Sequence, residues 1–242
     1  MPGHDTNPSS TDRTFREARR ELAGLTADAE RRLLLWLAAR TPPVVHSDHL
    51  TLLGLGGMAL CGGAYAMSGS SSWLLLLVNV GLAVNWLGDS LDGTLARYRG
   101  RQRPRFGFYV DHLADAFGAL FVLVGLGLSG LMSPLVAGAL LAAYYLLAIE
   151  TSLAAHALGT FKISWGPFGG TELRIVLGLV NVAVLRWPSI AVAGETVWLF
   201  DLLGVSAAAA LALLAVTAGV RGTRELLRLE GTARHPHALP TP

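Results

Sequence analysis

The sequence predicts an all-α integral membrane protein: six transmembrane helices preceded by a cytoplasmic amphipathic surface helix, with both termini cytoplasmic. Three observations carry this. The 242 residues are 52% hydrophobic and 15% charged, with a mean hydropathy of +0.48, whereas soluble domains carry about a quarter charged residues. Residues 50–88 contain no Asp, Glu, Lys or Arg, which leaves room for two membrane helices of ~20 residues each. All but one of the nineteen Lys and Arg residues fall on a single side of the resulting topology, leaving Arg186 alone outside. Short cytoplasmic loops collect positive charge, and that fixes the orientation.

Residues 1–12 read as a polar, Pro- and Ser-containing start without the apolar core of a signal peptide. Over residues 13–40, Phe15, Ala18, Leu22, Leu25, Ala29, Leu33 and Trp36 recur at helical steps, opposite Arg16, Arg19, Arg20, Arg31 and Arg32. A basic amphipathic helix with a tryptophan suits a membrane surface, and a helix packed on a partner has the same pattern. The Thr-Pro-Pro at 41–43 ends it.

The six spans are expected at 50–68, 73–96, 107–132, 134–157, 171–187 and 197–220, joined by SGSSS, an arginine-rich loop at 97–106, Ser133-Pro134, a long loop at 156–170, and WPSIAVAGET. The fifth is weakest, since Arg174 and Arg186 bound a short apolar stretch. The expected organisation is a cytoplasmic segment 1–48, a membrane domain 49–221 and a cytoplasmic tail 222–242. Cys61 stands alone in an apolar run, which suggests a buried thiol.

Charge reappears where the second span ends and the third begins. Asp89 and Asp92 are three residues apart, and Asp111 and Asp115 four apart, spacings that put each pair on one helical face. A connector of about ten residues lets the helices pack antiparallel, so the four carboxylates converge just inside the membrane. Unpartnered, they would repel and be costly to desolvate. A divalent cation removes that repulsion, and oxygen ligands select Mg²⁺, Mn²⁺ or Ca²⁺ rather than zinc. His112 points about 100° round the helix from Asp111, away from a ligand position.

Gly93 and Ala96 continue the first aspartate face and leave space for a flat ligand. Arg97 offers a planar fork for phosphate oxygens, and Gly107 clears the facing helix one turn before Asp111. Together these suit a metal-bound pyrophosphate with a nucleoside attached. Each glycine by itself is equally at home in close helix packing.

The stretch Asp89-x2-Asp92-Gly93-x2-Ala96-Arg97-x9-Gly107-x3-Asp111-x3-Asp115 resembles the signature of the CDP-alcohol phosphatidyltransferase family at every fixed position. The six-span layout and the surface helix are similar too, so the resemblance covers most of the chain. It implies a phosphotransferase of phospholipid biosynthesis that cleaves a CDP-linked donor, releases CMP and joins the remaining phosphate to an alcohol. It further implies that Asp89, Asp92, Asp111 and Asp115 bind Mg²⁺ or Mn²⁺, as two ions, and that Asp115 is the general base. Gly93, Ala96, Arg97 and Gly107 would then contact the CDP part of the donor. It also implies a homodimer, for which Gly125, Ser129 and Gly138 permit close helix packing.

Many family members open the first span with Pro-Asn-x-Leu-Thr; here Ser47-Asp48-His49-Leu50-Thr51 keeps Leu50 and Thr51 and replaces the Pro-Asn pair. Asp48 reads as an interfacial helix cap. At 166–175, GPFGGTELRI suggests a glycine-rich turn, Thr171 as cap, and Glu172 and Arg174, with Lys162, as a candidate acceptor pocket. Glu150 is expected to face the cytoplasmic cavity or to pair with Asn85 or Asn181. Arg99, Arg101, Arg103 and Arg105 read as anchors on anionic lipid, and Asp201 as water-accessible near the outer end of the last span.

The preferred reading is transfer of a phosphatidyl group from CDP-diacylglycerol, or a similar liponucleotide, to a small polar alcohol, at the cytoplasmic face of a bacterial plasma membrane. An alternative within the same chemistry uses a soluble CDP-choline or CDP-ethanolamine donor and diacylglycerol as acceptor. A cation transporter is the alternative from another class, but its carboxylates should lie near the bilayer midplane and at repeat interfaces. Nucleic acid is not an expected partner.

Overall fold

The computed structural model describes residues 27–158, 170–192 and 194–233. Helix α1 (Ala27–Arg40) is followed by α2 (Ser47–Ser68), α3 (Leu74–Tyr98), α4 (Pro104–Leu128), α5 (Pro134–Leu158) and α6 (Gly170–Arg186). A small hairpin, β1 (Ser189–Val192) and β2 (Glu195–Trp198), then leads into α7 (Leu199–Ala233). Among the described residues five helices are long and apolar enough to cross a membrane: α2 to α5, and α7 over Leu199–Gly231. The expected fifth span, α6, has 17 residues and falls short of that length. The start of the expected surface helix, residues 13–26, lies outside the described residues.

Glycine sets how closely the central helices approach. A Cβ on Gly57 would lie 2.7 Å from the Asn85 nitrogen and 2.7 Å from the Gly81 carbonyl oxygen, and one on Gly88 2.6 Å from the Gly54 Cα. Gly81 meets Cys61 while Gly88 meets Leu50 and Gly54, so α2 and α3 run antiparallel with their backbones touching. On another side of α2, Met58 meets Gly118, Gly62 meets Gly125, and Gly69 meets Ser129, which makes α4 parallel to α2. Gly125 and Ser129, expected to serve packing between copies, are therefore used inside the chain. Such small-residue contacts supply the van der Waals packing that holds membrane helices together.

The fully buried Tyr65, Leu75, Val78 and Cys61 lie at the heart of the main core. A chain of buried polar groups crosses it. The Tyr65 hydroxyl donates to Asn181 Oδ1 at 2.6 Å, Asn181 Nδ2 to Asn79 Oδ1 at 2.7 Å, and Asn79 Nδ2 to the Gly178 carbonyl at 3.2 Å. These bonds dock the short α6 onto α2 and α3, because an unmatched amide in an apolar surround costs far more than a matched one.

The expected boundaries hold to within a few residues except in α7, which continues to Ala233. Pro104 starts α4 three residues early, where its missing N–H is harmless. Gly100, at φ +63, closes α3: Arg101 N–H reaches the Ala96 carbonyl at 2.9 Å and Gly100 N–H that of Arg97 at 3.1 Å. The expected plain connector at 187–196 holds most of the hairpin, with Ser189 opposite Trp198, Val192 opposite Glu195, and Gly194 at φ +91. Trp73, Trp187 and Trp198 stand exposed at this end of the bundle, the arrangement of an aromatic belt at a bilayer interface.

One expectation about charged groups is corrected, and two other groups gain partners within the chain. Asp48 does not cap α2; it lies in the helix's first turn and pairs with Arg103. Arg99 serves the protein as well as any lipid, donating to the carbonyls of Val45 at 2.5 Å, Thr41 at 2.8 Å and Pro42 at 2.9 Å, which fastens the α1–α2 connection to the end of α3. Asp201 accepts from the Ser133 N–H at 2.7 Å and so caps the start of α5.

Candidate functional site

The site forms where α3 ends and α4 begins. On α3, Asp89, Asp92, Gly93, Ala96 and Arg97 follow one face at three- and four-residue steps; Gly107, Asp111 and Asp115 do the same on α4. The turn closed at Gly100 folds the second set back toward the first. Asp92 lies within electrostatic reach of Asp89 and Asp111, and Asp115 within reach of Asp89, Asp111, Arg174 and His112. The four carboxylates therefore share one local field.

Their surroundings differ. Asp92 is buried, Asp89 and Asp111 are half-buried, and Asp115 is exposed. Asp92 Oδ2 accepts from the Thr51 hydroxyl at 2.6 Å, and its Oδ1 from the Gly93 N–H. Asp89 Oδ2 pairs with Arg174 Nη2 at 2.7 Å, while Arg174 Nε donates to Asn85 Oδ1 at 2.7 Å. Asn85 in turn donates to the Gly54 carbonyl at 3.0 Å. Both amides named as possible partners of Glu150 are thus bonded elsewhere, and Glu150 instead lies against Gly219 and Gly222 of α7.

Arg97 folds back over Gly93, where an added Cβ would sit 3.4 Å from its guanidinium, and it donates to Thr94 Oγ1 at 3.3 Å. Gly107 has open space in front of it. His112 Nδ1 lies 2.8 Å from the Phe108 carbonyl, which can only accept, so in this contact that ring nitrogen is the donor. Beside Ala96 opens a cavity of about 460 Å³, lined by His46, Ser47, Asp48, Arg99, Arg101 and Arg103 among others. That is within the range of small-molecule sites, roughly 300–1,000 Å³, and its basic wall suits a phosphorylated ligand.

The expected acceptor residues divide. Arg174 joins the aspartates directly; Glu172 lies half a turn earlier on α6; Lys162 lies outside the described residues. Thr171, expected as the cap of α6, lies inside it and donates to Glu30 of α1 at 2.9 Å. Sequence reasoning passed over the tandem tyrosines of α5. Tyr144 lies within electrostatic reach of Asp115, and the Tyr145 hydroxyl donates to the Ala116 carbonyl at 3.0 Å. Two polar rings in an otherwise apolar span were the available signal.

Among the described residues, no three His, Cys, Asp or Glu side chains are gathered tightly enough to enclose an ion as they stand. The donor set nonetheless fits a hard divalent cation: four carboxylates, oxygen donors all, within one local field. The model of the CDP-alcohol phosphatidyltransferase family matches residues 45–220, a range that holds α2 to α6, most of α7 and every residue of the aspartate cluster. No curated protein matches the chain.

Proposed function

The chain belongs to the CDP-alcohol phosphatidyltransferase family, and we propose that it transfers a phosphatidyl group from CDP-diacylglycerol, or a similar liponucleotide, to a small polar alcohol with release of CMP. The family is made up of phosphotransferases of phospholipid biosynthesis that draw on a CDP-alcohol and are generally dependent on a divalent metal, which favours transfer over cation transport. The observation that carries the reading is the convergence of Asp89 and Asp92 with Asp111 and Asp115 beside Arg97 and a basic cavity.

Asp89, Asp92, Asp111 and Asp115 would hold Mg²⁺ or Mn²⁺. Bound there, such ions supply charge stabilisation for the transferring phosphate and the CMP leaving group. The chain's own residues do the rest. Thr51 and the Gly93 N–H hold the buried Asp92 in one orientation. Gly93, Ala96 and Gly107 leave the space a nucleotide needs, and Arg97 has a fork matched to its phosphate oxygens. Asp115, the most exposed of the four, orients the acceptor hydroxyl and takes its proton as the new P–O bond forms. Arg174 and Glu172 border the acceptor's side, with Lys162 as a further candidate.

In this reading the aspartate end faces the cytoplasm together with both termini, and α6 is the sixth crossing. Its 17 residues reach about 25 Å, so the bilayer must thin slightly around it. The family reading also brings a homodimer. A second reading, with diacylglycerol as acceptor and a soluble CDP-choline or CDP-ethanolamine donor, is favoured by one feature. A largely apolar groove of about 410 Å³ runs between α3 and α6 beside Arg174, lined by Leu82, Ala83, Trp86 and Ile175.

The test is CMP release by the purified protein from each donor in turn, with inositol phosphate, glycerol phosphate, serine, choline and diacylglycerol as acceptors. Release from CDP-diacylglycerol stimulated by a polar alcohol supports the first reading. Release only from CDP-choline or CDP-ethanolamine with diacylglycerol supports the second, and no release with any pair defeats both.

A further inference from the structure

One oxygen of α1 closes a junction of three helices. Glu30 Oε1 accepts from the Trp86 indole N–H at 2.8 Å, the Ser90 hydroxyl at 3.3 Å and the Thr171 hydroxyl at 2.9 Å. Trp86 and Ser90 stand on α3, Thr171 on α6. Ser90 follows Asp89 in the chain, and Thr171 is one turn before Arg174. The junction thus braces the Asp89–Arg174 ion pair from both sides.

The rest of α1 is consistent with this placement. Leu34 and Ala38, four and eight residues after Glu30, bury against Leu50, Leu91 and Leu95, so Glu30 lies on the inward face of the helix. Arg31, Arg32, Leu35 and Trp36 remain exposed on the other. An inward carboxylate on an otherwise apolar face is costly unless its hydrogen bonds are met, and here three donors meet one atom. Helix α6 packs chiefly on α3. Its asparagine bonds hold its middle, while Thr171 ties its first turn.

We propose that Glu30 is a positioning residue of the transfer site, pinning the first turn of α6 to α3 so that Arg174 keeps its station beside the aspartates. This rests on the reading of the aspartate cluster as the site of transfer. The four aspartates, Gly93 and Arg97 belong to α3 and α4, whose mutual packing does not involve α1, so loss of the junction acts chiefly through Arg174 on α6 and on acceptor binding. The acceptor at Glu30 is an oxygen rather than a charge as such, and glutamine supplies the same oxygen.

The test uses the full chain in lipid nanodiscs, with CDP-diacylglycerol as donor and either glycerol 3-phosphate or inositol phosphate as alcohol. Glu30→Ala should raise the alcohol's KM roughly tenfold or more, about the cost of leaving a buried donor unpaired, with the donor KM changed far less. Glu30→Gln should restore the wild-type KM. Thr171→Val, a milder change, should shift KM in the same direction and add nothing on top of Glu30→Ala. A Glu30→Ala protein with the wild-type alcohol KM overturns the proposal. So does one in which every parameter falls together and Glu30→Gln is no better.

A second arm needs no turnover. Spin labels at Leu33→Cys and Leu173→Cys, both exposed, read the α1–α6 separation, and the fully buried Cys61 does not compete for label. The distance distribution should broaden in Glu30→Ala and stay narrow in Glu30→Gln. Identical distributions in all three proteins overturn the proposal. If the wild type releases no CMP from CDP-diacylglycerol with any polar alcohol of the acceptor screen, the preferred transferase reading fails, and this arm still decides the role of Glu30.

Discussion

Replacing Thr51 by valine removes one hydroxyl and little else, and its effect can be worked from the geometry. The Thr51 hydroxyl is 2.6 Å from Asp92 Oδ2, and Asp92 is only 7% exposed. Water cannot readily replace a donor lost at that depth. The Gly93 N–H remains on the other oxygen, so the carboxylate keeps one of its two holds and gains freedom to turn. A hydrogen bond to a charged group is worth about 1.5–3 kcal/mol, or roughly 10- to 150-fold. Loss of a residue that orients a metal-binding carboxylate costs roughly 10- to 100-fold in metal affinity. The two figures agree, so Thr51→Val should raise the half-saturating Mg²⁺ or Mn²⁺ by about 10- to 100-fold. Turnover at saturating metal should stay near that of the wild type. The assay is CMP release against metal concentration in detergent or nanodiscs. A curve that superimposes on the wild type would refute the assignment of Asp92 as a ligand oriented by Thr51.

Asp115→Asn should bind metal and CDP as before yet lose turnover, measured by equilibrium binding beside CMP release; near-normal activity would remove Asp115 from the general-base role. Asn181→Leu strips Tyr65 of its buried acceptor and Asn79 of its donor, and should destabilise the protein by about 1–3 kcal/mol, read as a lower thermal midpoint in detergent. Gly57→Ala drives a methyl group to 2.7 Å from backbone atoms of α3 and should cost about 1–3 kcal/mol or more on the same measurement. Gly107→Ala, facing open space, should leave that midpoint unchanged and act, if at all, through the donor KM.

Much of this was legible from one chain because the signals are local. Apolar runs mark the helices, and the three- and four-residue steps of Asp89, Asp92, Asp111 and Asp115 mark their shared faces whatever the fold does. The expected span that is weakest in the sequence, α6, is the one whose 17 residues fall short of the length of the other spans. What was not legible depends on distant partners. Arg99 looks like any loop arginine until the chain brings the carbonyls of Thr41, Pro42 and Val45 to it. Glu30 reads as one charge on an amphipathic helix, and its three donors lie 56 to 141 residues away. Asn85 and Asn181, two of the alternatives offered for Glu150, carry no mark of their partners in the sequence, and the fold bonds both elsewhere. The hairpin could have been found. Ile190 faces Val197 and Ala191 faces Thr196 across a short loop containing Gly194, two short runs rich in strand formers with a turn residue between them.

The central claim concerns which bond is broken, and it can be followed by isotope. A CDP-alcohol carrying ³²P only in the phosphate next to the alcohol, incubated with the protein, Mg²⁺ or Mn²⁺ and an acceptor, reports the fate of that phosphorus. The account predicts that the label passes into the new phospholipid while the released CMP is unlabelled, and that chelating the metal stops both. Label recovered in a soluble nucleotide product, or transfer that persists without divalent metal, would contradict it.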